Sequence, residues 1–542
     1  MFSSTSHKIF CVLIILSTAV LAHAQSVPVK EATGVISGKV TLKGKPAAGI
    51  MILVRTNTNN STPQVSSYKG TTDLNGEYRI ANVPAGNYTV APLAPALVDA
   101  NGFDSRRVLF VNKGETIENI DFSLLRGGAI TGKVADADGR PLVEQEVQLF
   151  SAENNNSNYS MSAMLTDDRG IYRFFGLKAG KYKVATGRGE RGSFSNRVNL
   201  YNQTFYPSVS EVDQATVIEV SEGSESANID ITVGTKLATY TASGRIVDGA
   251  TGQPLPGVAY GIKRYISAYS TSSLSSGAVS NSRGEFKLEN LIPGKYAVQI
   301  RSQPTSTWRA DELPFEIVDE DVTGLVVQTK KGATFSGVVV VEGGDDKNAQ
   351  TELRRLTLIA TSNPRDDRAS STWSMLSPDG GFNMSGVAAG PAIFQLANSA
   401  HFRLLRVERN GVIQGNRTVD VKEGEDVSGI RIVVAFGNAT IRGSVEVTNG
   451  TLPAGARFYM MLRNISDDPM NASGPNSPVE VDARGQFVMD GVFPGTYEIS
   501  AGIWSPDGRT IFGEKKQQIA VIAGSVNNIT LSMDLTPKTT RP

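Results

Sequence analysis

Three histidines (His7, His23 and His401), one cysteine (Cys11) and 53 acidic residues are the side chains of this 542-residue chain that could hold a metal or relay a proton. Lys8, the apolar run from Ile9 to Leu16 and the small-x-small site Ala22-His23-Ala24 predict a secretory signal peptide over residues 1–24, cleaved after Ala24. That run is too short to span a bilayer. Cleavage removes His7, Cys11 and His23, leaving no disulfide, no thiol nucleophile and no lipid-bearing cysteine. His401 then stands alone, with no glutamate two or three residues away, so a zinc centre built from histidine and glutamate is excluded. Serine–histidine and cysteine–histidine mechanisms fail for the same shortage. His401 follows the apolar stretch Phe394 to Leu396 and reads as a structural or surface residue.

Paired carboxylates could still cleave a glycosidic bond. No acid recurs at a matched position, however, and Asp345-Asp346 and Asp366-Asp367 lie in polar loops. Glycoside hydrolysis is therefore the disfavoured reading, and the chain is expected not to be an enzyme. Asp136-Ala-Asp138-Gly139 lacks the further ligands of a calcium loop and reads as a hairpin turn, so neither metal nor other cofactor is expected. Sugar contact on a sheet surface uses exposed flat rings beside polar groups. The candidates are Trp308, Trp373, Trp504, Tyr265, Tyr269 and Tyr206, the last beside Tyr201 and Phe205. For each, burial under a loop competes with ligand contact. They are not at equivalent positions, so no repeated, avid face is expected.

The elements that must position these residues are repeated five times. Thr72-Asp-Leu-Asn-Gly76-Glu-Tyr78 runs on through Ile80, Val83, Pro84 and Gly86 to Tyr88. Equivalent stretches lead through Gly170 and Tyr172 to Tyr182, through Gly284 and Phe286 to Tyr296, and through Gly485 and Phe487 to Tyr497. A worn copy passes Gly381 and Phe382 and has Ala392 at the final position. Each is an Asn/Asp-x-x-Gly turn, a short alternating strand, a Pro/Ala-Gly turn and a tyrosine opening the next strand. A tyrosine at such a corner tucks its ring inside and bonds its hydroxyl to nearby backbone, so Tyr88, Tyr182, Tyr296 and Tyr497 read as structural staples.

Ahead of each copy lies an apolar-x-Gly-x-apolar strand, centred on Gly38, Gly132, Gly244, Gly337 and Gly443. Alternation places the glycine on the core face, where its lack of a side chain signals close approach by a neighbour. An alternating last strand closes each copy, for example Ile120-Asp-Phe122-Ser-Leu124. No stretch has a convincing helical period. A unit of about a hundred residues is domain-sized and buries a core without staples. The predicted organisation is thus modules at 33–126, 127–235, 236–331, 332–437 (divergent) and 438–535, with a polar tail at 536–542. Short joins such as Leu125-Arg-Gly-Gly128 predict a semi-rigid extended string. Lysine plus arginine and aspartate plus glutamate stand at 53 each, with no charge block, so nucleic-acid and electrostatic membrane binding are poor fits.

The opening glycine strand, the Asn/Asp-x-x-Gly-x-Tyr/Phe segment and the Pro-x-Gly-x-Tyr corner together resemble the carboxypeptidase regulatory-like domain. The resemblance covers nearly the whole mature chain, most loosely in the fourth copy. It implies an all-β protein of five tandem immunoglobulin-like or transthyretin-like β-sandwich domains. This is the group of carbohydrate-binding-like folds found beside metallocarboxypeptidases and in bacterial surface proteins. It implies no peptidase activity. By that resemblance the expected function is a secreted, non-enzymatic binding or scaffold protein with a polysaccharide as ligand. The alternative is a structural spacer or adhesin array that binds a cell-envelope protein. Adhesin B-type relatives also carry Lys–Asn isopeptide bonds, but Lys39, Lys133 and Glu289 form no matching set with an asparagine.

Overall fold

Gly34–Leu42, the opening strand of the first repeat, turns Ile36 and Val40 fully inward. In the computed structural model, which describes residues 32–56, 67–100, 106–152, 160–188, 200–267, 270–300, 306–343, 347–363, 370–397, 399, 401–453, 455–465, 478–504 and 514–536, this strand organises a sheet. Glu77–Val83 pairs with it antiparallel on one side. The closing segments Thr116–Ile117 and Phe122–Arg126 pair with it parallel on the other. A second, antiparallel sheet runs Ser67–Thr71, Met51–Thr56, Gly86–Pro92, Arg107–Val111. The core between the two sheets contains Ile36, Val40, Ile52, Val54, Val90, Leu109 and Phe122.

The pattern recurs around the opening strands Gly128–Ala135, Tyr240–Asp248, Ala333–Val341 and Ala439–Asn449. Each pairs antiparallel with the strand that follows its Gly turn and parallel with its closing strand. Among the described residues the strands form ten sheets that fall into five consecutive pairs, and the protein is an all-β assembly of sandwiches. One departure is the short helix Lys347–Leu353 in the fourth pair, where no helix was expected. It forms because Ala349 and Leu353, four residues apart on one face, are both buried.

Two backbone features repeat with the sheets. A Cβ on Gly38, Gly132, Gly244, Gly337 or Gly443 would lie 2.2, 1.9, 1.9, 1.9 or 1.8 Å from the carbonyl oxygen of Ile120, Ile229, Leu325, Ile430 or Ile529, so the closing strand occupies the space a side chain would need. The strand after each turn then carries one extra residue opposite the opening strand. That bulge has a left-handed residue at Asn82, Gly176, Asn290, Gly386 or Gly491, with φ between 59° and 73°.

The turns are self-capped. Asp73, Asp167, Asn281 and Asp482 each accept two backbone amides on Oδ1, from the residues two and four positions on. The fourth pair substitutes Ser377 and Asp379 for that single cap.

Joins are short where one closing strand runs into the next opening strand. The amides of Gly127, Gly332 and Gly437 donate to the carbonyls of Ala96, Thr307 and His401, each at 2.9 Å. The extended string expected from these joins does not form, because the fifth pair also touches the first through Arg484 and Glu115, 2.7 Å apart.

Candidate binding surfaces

The recurring corner tyrosines are turned inward. The hydroxyls of Tyr88, Tyr182, Tyr296 and Tyr497 each donate to the carbonyl four residues earlier, Pro84, Lys178, Ile292 and Phe493, at 3.0, 2.9, 2.7 and 3.0 Å. Tyr78 and Tyr172 donate to Ile120 and Ile229, the same carbonyls that lie over Gly38 and Gly132. Desolvation by burial raises the pKa of Tyr296 and Tyr497, which stay neutral donors.

The candidate aromatics are dispersed. Tyr206 is half-buried against the second core and Trp308 against the third. Tyr265, Trp373 and Trp504 are exposed, at 37, 45 and 48 %. They belong to the third, fourth and fifth pairs, and among the described residues none of the candidate rings stacks on another. Trp373 stands opposite Ile359 on an edge strand, and Trp504 opposite Arg457. Tyr269 lies outside the described residues. Tyr265 has a polar setting: its hydroxyl meets Glu312 at 3.3 Å, and Lys263 and Gln299 hold the same carboxylate.

The remaining polar candidates are committed to structure. His401 Nδ1 lies 2.7 Å from Glu352, on the short helix, and its ring lies against Gly491 of the fifth pair. Asp136 caps its own hairpin through the amides of Asp138 and Arg140. Glu289 pairs with Lys287 at the surface rather than forming a buried acid. In the third turn the Asn281 amide, then the Arg283 guanidinium, hold Glu285 down at about 2. A carboxylate depressed on folding stabilises above its ordinary pKa and loses that contribution as pH falls through the folded value. Carboxyl NMR should therefore show Glu285 titrating near about 2, and Asn281→Ala should return its midpoint toward the ordinary glutamate value.

A cleft of about 640 Å³ lies between the first and fifth pairs, lined by Arg106, Arg107, Leu452, Arg457, Phe458 and Glu480 among others. Its charges are matched within the protein: Arg107 meets Asp99 at 2.6 Å and Arg457 meets Glu480 at 2.8 Å. Sequence reasoning missed this junction, although the unbroken apolar run Val108-Leu109-Phe110-Val111 marks a strand buried on both faces.

Residues 35–125, the whole first sheet pair with its glycine strand and tyrosine corner, match the family model of the carboxypeptidase regulatory-like domain. The first repeat is similar to the carboxypeptidase regulatory-like domain. Its Gly38 contact recurs in all four later repeats and its Tyr88 corner in the second, third and fifth. No curated protein matches the chain. Among solved structures, a streptococcal ancillary pilin is 14 % identical over 55 % of this chain and 99 % of its own, with a TM-score of 0.25. The major pilin subunit of Bacillus cereus is 13 % identical over 55 % and 99 %, with a TM-score of 0.14. A minor pilin of Streptococcus agalactiae is 12 % identical over 38 % and 97 %, with a TM-score of 0.18. Scores this low transfer nothing from those proteins to this chain.

Proposed function

We propose that this chain is a secreted, non-enzymatic scaffold whose partner is another protein of the cell envelope. It consists of five sandwich modules at 33–126, 127–235, 236–331, 332–437 and 438–535, between a signal peptide at 1–24 and a polar tail at 536–542. The observation that supports it best is the use of polar side chains: the recurring carboxylates, amides and tyrosine hydroxyls cap turns and corners. The exposed aromatics are spread over separate modules, which favours a spacer over a polysaccharide groove.

Chain 25–542 should show no turnover of glycoside or peptide substrates and no retention on a polysaccharide panel. Trp373→Ala and Trp504→Ala should shift stability by no more than about 0.5 kcal/mol, as surface changes do. Retention that either variant abolishes would replace the scaffold reading with carbohydrate binding. Carbohydrate stays as a second reading at one place only, the ring of Tyr265 beside Glu312, Lys263 and Gln299. Tyr265→Ala is the variant that tests it.

A further inference from the structure

Arg107–Val111 is the outermost strand of its sheet, and such an edge presents unpaired amides and carbonyls. Here the Gly turn of the fifth pair covers it. Ala483 donates its amide to the Val108 carbonyl at 3.1 Å, and Arg484 Nη2 donates to the Phe110 carbonyl at 2.8 Å. Arg484 also meets Glu115 of the first pair at 2.7 Å and the buried Asp482 of its own turn at 2.9 Å.

The strand is divided by side. Leu109 and Val111 point into the first core, whereas Val108 and Phe110 complete the fifth. The register on the corner strand identifies the residues equivalent to Phe110 in the other pairs: Glu219, Glu316, Asp420 and Ala520. A large apolar side chain at this outward position is therefore peculiar to the first repeat, the one that docks.

The joins differ in a matching way. At Gly127, Gly332 and Gly437 a Cβ would lie 2.5, 2.4 and 2.0 Å from the bulge glycine of the following pair, Gly176, Gly386 or Gly491. Between the second and third pairs the bulge residue is Asn290, and residues 233–239 separate the strands.

We propose that the chain carries an intramolecular clasp: the first repeat docks through Val108 and Phe110 onto the fifth, Arg484 locks the contact, and residues 234–239 are the hinge between the two arms. The occupant of the fifth pair's docking surface is this chain's own first repeat. Charge complementarity (Arg484 against Glu115) and continuity of the fifth core into Phe110 support that choice.

Small-angle scattering of chain 25–542 tests it, with light scattering on the same samples. Wild type should be monomeric and compact. Phe110→Glu, which installs the residue found at the equivalent positions 219 and 316, should raise the radius of gyration by roughly a fifth or more without loss of circular-dichroism signal. Should that variant not fold, Phe110→Ser is read the same way. An unchanged radius in a folded variant, or a wild type that is already extended, would overturn the clasp. A wild-type dimer that Phe110→Glu dissociates would also overturn it, by making a second copy the occupant.

Discussion

Gly443→Ala should remove the cooperative unfolding transition of the fifth sheet pair while the second and third keep theirs. The added Cβ would stand 1.8 Å from the Ile529 carbonyl oxygen and 2.8 Å from its carbon. That carbonyl is backbone, held in a parallel ladder that pairs Gly443 with Ile529 and continues to Val445 with Leu531. No rotamer change relieves the clash, so either the ladder shifts or the opening strand leaves it. A cost of about 4 kcal/mol or more is expected, a large share of the ~5–15 kcal/mol that holds a typical domain together. Gly502→Ala, where nothing lies within 4 Å of the new atom, is the control and should be nearly neutral. Calorimetry that found the two variants equally stable would show that the closing strand does not depend on this glycine.

Tyr497→Ala should cost about 3–5 kcal/mol, the range for removing a fully buried aromatic ring. Tyr497 has no exposed surface, and its ring belongs to a core shared with Phe487, Met489 and Ile499. Tyr497→Phe keeps the ring and removes the hydroxyl, with its bonds to the Phe493 carbonyl and the Asn464 side chain, so about 1 kcal/mol per bond is expected. Urea unfolding of the two variants separates ring from hydroxyl. Comparable losses would mean that the corner bond, rather than the ring, carries the stability. The fourth pair shows how a core manages without this tyrosine. Ala392 stands at the corner, in a core that also holds Phe335 and Phe394, with ring centroids 5.2 Å apart.

Much of a single repeat was legible because its constraints are local or periodic. Alternation placed Ile36 and Val40 inside, and the glycine between them pointed to a close approach. The Asn/Asp-x-x-Gly turns announced themselves because the side chain that caps the turn is in the motif. The helix at Lys347–Leu353 was not legible, since two buried residues one turn apart make no period. The aromatic candidates were legible only as residue types: Trp308 and Trp373 read alike, yet one rests on a core and the other faces outward.

That this is a β protein, where its turns lie and which face of each strand is apolar can all be read along the chain, because they depend on neighbours a few residues away. The parallel pairing of a repeat's first and last strands, the meeting of the bulge residue with the join, and the place of Phe110 in the fifth core rather than the first emerge in three dimensions. Those contacts join residues tens to hundreds of positions apart. Their partners are selected by shape and burial in three dimensions, which no local pattern along the chain records.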